Sequence, residues 1–418
     1  MRIDATAIES TSCSEDRVPI PYGPDGLFVH LDKLARRLTT PWQVCLIRAR
    51  QLAKCELPEG NLIDPACGAG LQLAALANIL GRSALGVEID ESRARMAAAN
   101  QSLISEYLGN ELRTVIVAGD GTDSESVISA SNIQGGMSLF YFDPARPEGS
   151  TTHDPSEMRP LLDQVLDAWK PHLNEGTNGP ALVLDLSPRL STSRRLEVEA
   201  IVEERWLGIA KTWQWASRGS GRIDRLSLWL GAAANPVYSR RFVRIPADIH
   251  SNPLIIEADE SRCSLPDVNR TFPRKGDRLT IVDAALVASG LANVWLEQVL
   301  SKEDQAHWQV QQGRRPIITH SMPLRMQQGL DADLIQCSGE IVSLLRSQID
   351  EDHIELISKQ AEEVGFGSLT LRLSLPPEKH PVMQRELNRR LARGSGNKTG
   401  FIARTGEDDH LLLCLESE

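Results

Sequence analysis

The hydrophobic positions between residues 57 and 232 fall into short apolar runs that alternate with helical patterns. Each run has the length of a buried strand, whereas the apolar residues between runs recur at helical spacing or fill a helix completely. The predicted strands are residues 62–63, 83–89, 114–118, 138–142, 181–186, 207–216 and 225–230. Such alternation is typical of an α/β sheet with parallel strands, and the last two runs predict a closing antiparallel hairpin.

Helical patterns also flank this region. Residues 27–57 predict a mostly helical segment, and residues 281–300 predict one amphipathic helix that contains Gly290. The predicted C-terminal elements are a helix at 338–349, a strand at 367–375, a helix at 380–394 and a strand region at 399–416. We divide the chain into an N-terminal helical segment (1–56), a large α/β domain (57–232), a connecting region (233–335) and a small C-terminal α/β domain (336–418).

The first strand–loop–helix–strand unit of the large domain has the pattern of a nucleotide-like ligand site. A short apolar run ends in Asp64, Gly68 and Gly70 follow, and a second apolar run ends in Glu88. The glycines let the backbone turn tightly and approach a ligand. Dinucleotide-binding loops have a third glycine where this chain has Leu73, and a carboxylate at position 64 would repel a pyrophosphate.

A carboxylate at Asp64 suits a cationic ligand, such as the amino group and sulfonium of S-adenosylmethionine (SAM). Glu88 lies 18 residues (88 − 70) past Gly70, close to the spacing at which an acid binds a ribose. The stretch resembles motifs I and II of Rossmann-like SAM-dependent methyltransferases, and it also fits an ordinary βαβ unit with a glycine turn. The other loop positions of the predicted cofactor site are Pro65, Ala66 and Cys67. Cys67 fits either a nucleophile or a small loop residue.

Polar residues also follow the other predicted strands. Asp90 precedes a helical pattern and is well placed as its N-cap, and we include it in the predicted cofactor site. In the methyltransferase pattern, the acid at Asp120, beside Gly121, faces the adenine amino group, although turn chemistry alone would also favour these residues. Asp143, Pro144 and Arg146 occupy the motif IV position, at the carboxyl end of the fourth strand, where open α/β sheets place their chemistry.

The composition restricts the class of protein further. The chain has 418 residues, 41% of them hydrophobic and 24% charged, which is typical of a globular protein with two or three domains. No apolar run approaches the ~20 residues of a membrane span, and the polar, acidic N-terminus lacks the layout of a signal peptide. We therefore expect a cytoplasmic protein without membrane association.

Cysteine, histidine and charge patterns exclude some further classes. The seven cysteines contain no C-x-x-C pair and the nine histidines no H-E-x-x-H, so we expect neither a disulfide framework nor a metal site. A net charge of −11 argues against broad, sequence-independent binding of nucleic acids, although it leaves room for a local basic groove. No heptad pattern indicates an oligomeric state.

Several local patterns together resemble one family. DPACGAG (64–70) is similar to motif I of RNA methyltransferases that carry THUMP domains. The segments FDPARP (142–147), LDLSPRL (184–190), WASRGSGRIDRLSLWLG (215–231) and the end of the chain (364–415) resemble bacterial SAM-dependent methyltransferases with a C-terminal THUMP-like domain. The resemblance implies a Rossmann-like, seven-stranded methyltransferase sheet in residues 57–232 and a THUMP-like domain in residues 336–418. It also implies SAM as the cofactor and, by analogy, RNA as the substrate.

The motif IV tetrapeptide departs from the family of base-amine methyltransferases. These enzymes usually carry Asp or Asn, then Pro-Pro and an aromatic residue that stacks on the base, whereas this chain has Ala145 and Arg146 at the last two positions. Arg146 suits a phosphate or carboxylate through its planar fork, or it pairs with a nearby acid. Asp143 is the residue that we expect to accept a proton from the nucleophile, or to orient it.

The C-terminal helical pattern carries a basic stretch. Arg385, Arg389 and Arg393 fall on one helix face by their spacing, and Lys398 follows. This face either contacts an RNA backbone or is a solvated surface. Three functions remain open: an RNA methyltransferase, which we favour, a methyltransferase of small molecules or proteins, and a non-catalytic module that binds SAM or RNA.

Overall fold

A computed structural model describes residues 1–3, 17–110, 113–146, 153–265, 267–268, 272–326, 331–405 and 410–416. The chain divides into two compact units. Unit 1 comprises Met1–Ala216 and Asp224–Pro253, and unit 2 comprises Ser217–Ile223 and Leu254–Glu418. The four-segment division made from the sequence stays a prediction.

Unit 1 combines one large sheet with helices and a small two-stranded sheet. Its strands are β1 (Arg2–Ile3), β2 (Arg17–Pro19), β3 (Phe28–His30), β4 (Asn61–Asp64), β5 (Ala84–Glu88), β6 (Thr114–Ala118), β7 (Met137–Phe142), β8 (Ala181–Leu186), β9 (Lys211–Ser217), β10 (Arg225–Gly231) and β11 (Arg240–Arg244). Its helices are α1 (Ala35–Leu38), α2 (Trp42–Leu52), α3 (Leu71–Leu80), α4 (Glu91–Leu108), α5 (Ser124–Ser131), α6 (Leu162–Trp169) and α7 (Thr192–Glu203).

The large sheet of unit 1 has the strand order β1-β6-β5-β4-β7-β8-β10-β9-β11. Strands β4 to β8 pair in parallel, and β10 is antiparallel to both β8 and β9. If the strands are renumbered along the chain with β4 as the first, the seven neighbouring strands between the positions of β6 and β9 in the sheet have the order 3-2-1-4-5-7-6. Only the seventh of them, β10, runs in the opposite direction. This is the sheet of Rossmann-like SAM methyltransferases, and the predicted fold class of this region is confirmed.

The packing of the sheet explains its apolar strands. Every residue of β5, β7 and β8 is buried, as expected for parallel strands with helices on both faces. On one face, α2 and α3 pack together against the sheet, so that Trp42 and Leu46 share a core with Tyr141, Val183 and Trp229. The predicted N-terminal helical pattern therefore supplies a helix that covers the face of the sheet.

The N-terminal prediction is wrong in one part. Residues 28–30, predicted as helix, form strand β3, which pairs with β2. The side chain of Asn100, in α4, accepts a hydrogen bond from His30 N (2.7 Å) and donates one to His30 O (3.0 Å). These long-range hydrogen bonds favour an extended backbone at this point and override the helical spacing.

Unit 2 contains a mostly antiparallel sheet with helices. Its strands are β12 (Leu254–Ala258), β13 (Arg278–Val282), β14 (His307–Val310), β15 (Ile317–His320), β16 (Ile335–Arg346), β17 (Phe366–Leu371), β18 (Lys398–Arg404) and β19 (His410–Glu416), and its helices are α8 (Ala284–Ala288), α9 (Ala292–Val299), α10 (Ile354–Val364) and α11 (Lys379–Leu391). Seven of these strands form a sheet in the order β14-β15-β13-β16-β19-β18-β17, in which only β17 and β18 pair in parallel. Helices α10 and α11 pack on this sheet through a shared apolar core. Its identification as a THUMP-like domain stays a prediction.

Two helix predictions in unit 2 are wrong. Residues 338–349 were expected to be helical, but most of them belong to strand β16, whose register against β19 shifts between Ile341 and Ser343. This bulge changes the phase of the apolar positions, which then resemble a helical spacing. The predicted helix at 281–300 begins as strand β13 and then forms α8 and α9, separated by Gly290 at φ +78°.

No helix within the described ranges is both long and apolar enough to cross a bilayer. The cytoplasmic location stays a prediction from the sequence.

Candidate functional site

The glycine loop connects the end of β4 to the start of α3. Gly68 and Gly70 have φ values of +54° and +76°, which glycine adopts without strain. A Cβ atom at Gly70 would lie 2.5 Å from Nε2 of Gln101 and 3.2 Å from Cβ of Ala97. A side chain at this position would displace the end of the Gln101 side chain and crowd Ala97 of α4.

Asp64 ends β4 and is almost completely buried, with 2% of its surface exposed. Among the described residues, the backbone N–H of Ala66 (3.1 Å) is the one hydrogen-bond donor to its carboxylate. Burial raises the pKa of Asp64 well above its ordinary value, and the neighbouring carboxylates of Asp143 and Glu88 raise it further. A buried carboxylate in such surroundings favours the approach of a cation.

Glu88 ends the neighbouring strand β5 and is also buried. Its Oε1 accepts hydrogen bonds from Asp90 N (3.0 Å) and from Nη1 of Arg93 (3.4 Å). The side chain of Asp90 accepts from Arg93 N (2.9 Å), so its predicted role as the N-cap of α4 is confirmed. Glu88 is thus fixed through Oε1, and Oε2 receives no hydrogen bond from the described residues.

The loop after β6 lies against the glycine loop. A Cβ atom at Gly121 would be 2.1 Å from Pro65 O, so this contact requires glycine. Asp120 is exposed, and its Oδ1 accepts from both the backbone N–H and the hydroxyl of Thr122 (2.9 and 2.8 Å). These bonds form the predicted turn, and the predicted contact of Asp120 with adenine stays a prediction.

Cys67 is a buried free cysteine of the glycine loop. Burial raises its pKa well above the ordinary value, and the carboxylates of Asp64 and Glu88 add to the rise. A thiolate is the reactive form of cysteine. The geometry therefore favours the structural role that the sequence left open for Cys67.

Asp143 follows β7 on the same face and at the same edge of the sheet as Asp64. Tyr141 pairs with Val183 in β8, which places Asp143 beside Asp185 by register. Asp143 is partly buried, and no described residue donates a hydrogen bond to its carboxylate. Burial raises its pKa; the guanidinium of Arg225 opposes this rise, and the carboxylate of Asp185 adds to it.

A group of buried polar side chains lies beside Asp143 and was not predicted from the sequence. We call it the buried ion network, and its members are Arg48, Tyr141, Asp185, Arg225 and Ser227. Arg48 and Asp185 are 2% and 1% exposed and form an ion pair at 2.8 Å. Asp185 also accepts hydrogen bonds from Tyr141 Oη (2.9 Å) and Ser227 Oγ (2.5 Å).

Arg48 and Arg225 are each held by several partners. Nη1 of Arg48 donates to Tyr141 Oη and to Oε1 of Gln72, both at 2.8 Å. Nη2 of Arg225 donates to Oγ1 of Thr40 (2.6 Å), and its Nε lies 3.6 Å from Oδ2 of Asp185. Helix α2 and the preceding loop therefore anchor two cations beside the motif IV carboxylate.

Arg146 has a different environment from these two arginines. Its Nε and Nη2 atoms are buried, and neither has a hydrogen-bond partner within the part of the chain that the structure describes. It forms no ion pair with a described acid. Burial lowers the pKa of Arg146 and the carboxylate of Asp143 opposes this effect, and both roles that the sequence left open for Arg146 stay predictions. Pro144 is buried beside it.

The predicted nucleic-acid-binding residues lie in unit 2. Arg385 and Arg389 are exposed on α11, whereas Arg393 lies beyond its last residue, Leu391. Arg389 is bonded to Glu386 at 2.7 Å, and this hydrogen bond lowers the pKa of Glu386 to about 2. Nζ of Lys398 donates to Val364 O (2.9 Å). Within the described residues, the side chains of Arg385 and Arg393 form neither an ion pair nor a hydrogen bond. The binding of RNA by this predicted surface stays a prediction.

Within the described residues, no group of three or more His, Cys, Asp or Glu side chains is arranged to hold a metal ion.

No protein-family model and no curated protein sequence matches this chain. Among solved structures, the chain is similar to precorrin-6y C5,15-methyltransferase from Geobacter metallireducens GS-15, with 10% identity over 51% of this chain and 97% of that chain and a TM-score of 0.33. It is also similar to the rRNA methyltransferase aviRa from Streptomyces viridochromogenes, with 18% identity, coverage of 56% and 94%, and a TM-score of 0.29. Human methyltransferase-like protein 13 in complex with SAH gives 16% identity, coverage of 49% and 84%, and a TM-score of 0.29. At TM-scores this low, the fold assignment rests on the strand order and not on these similarities.

Proposed function

We propose that this protein is a SAM-dependent methyltransferase that acts on RNA. The observation that carries the cofactor assignment is the buried, nearly unpartnered carboxylate of Asp64 among other carboxylates at the carboxyl edge of a methyltransferase sheet. The amino group and sulfonium of SAM supply positive charge beside this carboxylate. Support for RNA comes from the resemblance of the loop at 64–70 and of the C-terminal region to THUMP-type methyltransferases.

In the proposed cofactor site, the loop of residues 64–70 binds the methionine part of SAM. Glu88 accepts hydrogen bonds from the ribose hydroxyls through its unengaged Oε2, because Oε1 is occupied by Asp90 N and Arg93. The Asp120–Gly121 turn borders the adenine. Each contact uses a side chain or backbone group at the carboxyl edge of the sheet, where ligands of open α/β sheets bind.

Methyl transfer forms a bond from the methyl carbon to the substrate nucleophile and breaks the carbon–sulfur bond, leaving S-adenosylhomocysteine. The protein contributes alignment of the two reactants and exclusion of water. In the proposed mechanism, Asp143 accepts the proton of the nucleophile or orients it by a hydrogen bond. The burial that raises its pKa makes this carboxylate a better proton acceptor than an exposed aspartate.

The experiment is transfer of labelled methyl from SAM to total RNA, compared with protein and small-molecule extracts. We expect label in RNA with the native protein, and a loss of transfer by about 100-fold or more in Asp143→Ala with SAM affinity retained. Asp143→Asn, which keeps the shape without the charge, separates a proton acceptor from an orienting group. Label in another extract, or native turnover in Asp143→Ala at saturating substrate, would contradict the proposal.

A further inference from the structure

Arg146 stands apart from the other arginines in the described residues. Several of these arginines have a buried Nε atom without a hydrogen-bond partner, but only Arg146 also has a buried terminal nitrogen, Nη2, in that state. A buried charged donor without an acceptor costs free energy. The Arg146 guanidinium therefore lacks an oxygen acceptor that a ligand would supply.

His153 shows the same deficit close by. Its Nε2 is buried without a partner, and its backbone has φ +53°, which is uncommon for a residue with a side chain. Its Nδ1 lies 3.0 Å from Oγ of Ser187, which also accepts from Arg189 N (3.2 Å). If the Ser187 hydroxyl donates to Nδ1, the proton of the neutral ring is on Nε2, which then faces its surroundings as a donor.

The charges around these residues are of both signs. Burial lowers the pKa of His153, and the guanidinium groups of Arg189 and Arg146 lower it further, which places Arg146 within electrostatic range of His153. The carboxylate of Glu157 has the opposite effect and raises the pKa of His153. The carboxylates of Asp143, Asp185 and Glu157 likewise act to raise the pKa of Arg146. None of these carboxylates accepts a hydrogen bond from Nε or Nη2 of Arg146, so both donors are open to the oxygens of a ligand.

We propose that Arg146 and His153 form a phosphate-binding subsite beside Asp143. The planar fork of an arginine matches two oxygens of a phosphate, and an imidazole N–H reaches a third. This inference rests on the proposed function, because it assigns the subsite to a phosphate of the methyl acceptor. That phosphate is either a backbone phosphodiester of RNA or the monoester of a small nucleotide.

The test follows the imidazole signal of His153 by NMR in the full-length protein, assigned with the variant His153→Asn, since asparagine tolerates a positive φ. The probes are inorganic phosphate, a nucleoside monophosphate, a short oligoribonucleotide and acetate. We expect phosphate groups to shift the signal and to raise the pKa of His153, because a bound anion stabilises the charged ring. Arg146→Gln should weaken this binding by roughly 10- to 100-fold, whereas the surface variant Arg95→Gln should leave it unchanged.

The outcomes separate this subsite from the proposed function. Tighter binding of the oligoribonucleotide than of the monophosphate supports an RNA phosphodiester, and the reverse supports a small nucleotide. An unmoved His153 signal, equal binding by Arg146→Gln, or a response to acetate but not to phosphate would overturn the subsite. SAM affinity and methyl transfer are measured on the same samples, so native transfer to RNA with an unaltered KM in Arg146→Gln would overturn the subsite and leave the function standing.

Discussion

The carboxyl edge of the sheet carries two sets of buried charges that are built in opposite ways. On one side, Asp64 receives a single hydrogen bond, from a backbone N–H, and lies among other carboxylates. On the other side, Asp185 is paired with Arg48 and accepts from Tyr141 and Ser227. A buried charge without partners is costly, whereas a fully bonded pair locks its elements together. The paired side holds elements of the fold together, and the unpaired side is the one that we propose to receive the ligand.

The largest effect is expected from breaking the paired side. Asp185→Asn leaves Arg48 buried without its counter-charge, and we expect a loss of about 3–5 kcal/mol in the free energy of unfolding. The double variant Arg48→Met/Asp185→Asn removes both charges and should recover a large part of that loss. Urea unfolding followed by tryptophan fluorescence measures both variants, and a double variant as unstable as the single one would show that the pair is not the cause.

The glycine loop allows a matched test at the two ends of α3. Gly70 and Gly81 both have positive φ (+76° and +64°), but a Cβ at Gly70 meets Gln101 and Ala97, whereas a Cβ at Gly81 meets no atom within 4 Å. We expect Gly81→Ala to cost about 1 kcal/mol, from backbone strain alone. Gly70→Ala should cost about 1–3 kcal/mol more, since it crowds α4, and should weaken SAM binding. Equal unfolding free energies for the two variants would contradict the close approach described for this loop.

Arg225 belongs to the buried ion network and also influences the pKa of Asp143, the proposed proton acceptor. Its guanidinium opposes the rise in the pKa of Asp143, so Arg225→Gln should raise this pKa further. Because the proposed acceptor acts in its ionised form, the rise of methyl transfer with pH should occur at higher pH in this variant. Arg225→Lys keeps the charge and should stay close to the native profile. Identical pH profiles of methyl transfer in the native protein and both variants would show that Arg225 does not influence the pKa of Asp143.

A smaller effect of opposite sign is expected on the unpaired side. The pKa of Asp64 is raised in the folded protein, so the folded state binds a proton more tightly than the unfolded one. Stability without ligand therefore falls as the pH rises from the ordinary value of 3.8 through the raised pKa. Asp64→Asn removes this loss of stability and should raise the Tm at neutral pH by about 2–4 °C. Asp185→Asn, by contrast, should lower the stability. A lower Tm in calorimetry would contradict this reading of Asp64.

The two sides also differ in how far the sequence predicts them. Asp64 and Glu88 directly follow apolar strand runs, and the glycine turn between them is local, so short-range patterns identify this part of the site. Arg48 and Asp185 are 137 positions apart in the chain, and only the fold brings them together. Asp185 is the one charged residue of the apolar strand β8, whereas Arg48 has no such mark, because α2 also contains Arg50 and two glutamines.

The same limit explains the errors in the fold. The seven strands β4 to β10 were predicted because each contains a short apolar run bounded by turn residues, whereas β1, β2, β3 and β11 were not predicted. In unit 2, the bulge in β16 gave apolar spacing like that of a helix, and Gly290 divided a predicted single helix. Bulges and breaks of this kind depend on pairing with strands far away in the chain, which local periodicity does not record.

The most direct test of the central claim is calorimetric titration of SAM into the native protein and Asp64→Asn. We expect native binding to release a proton, because the cation favours the ionised form of a carboxyl group whose pKa is raised in the free protein. The heat should then depend on the buffer, and the affinity should rise with pH. Asp64→Asn should bind SAM about 100-fold more weakly, with its fold intact. Equal affinity of the two proteins would contradict the claim that this carboxylate receives the cofactor's positive charge.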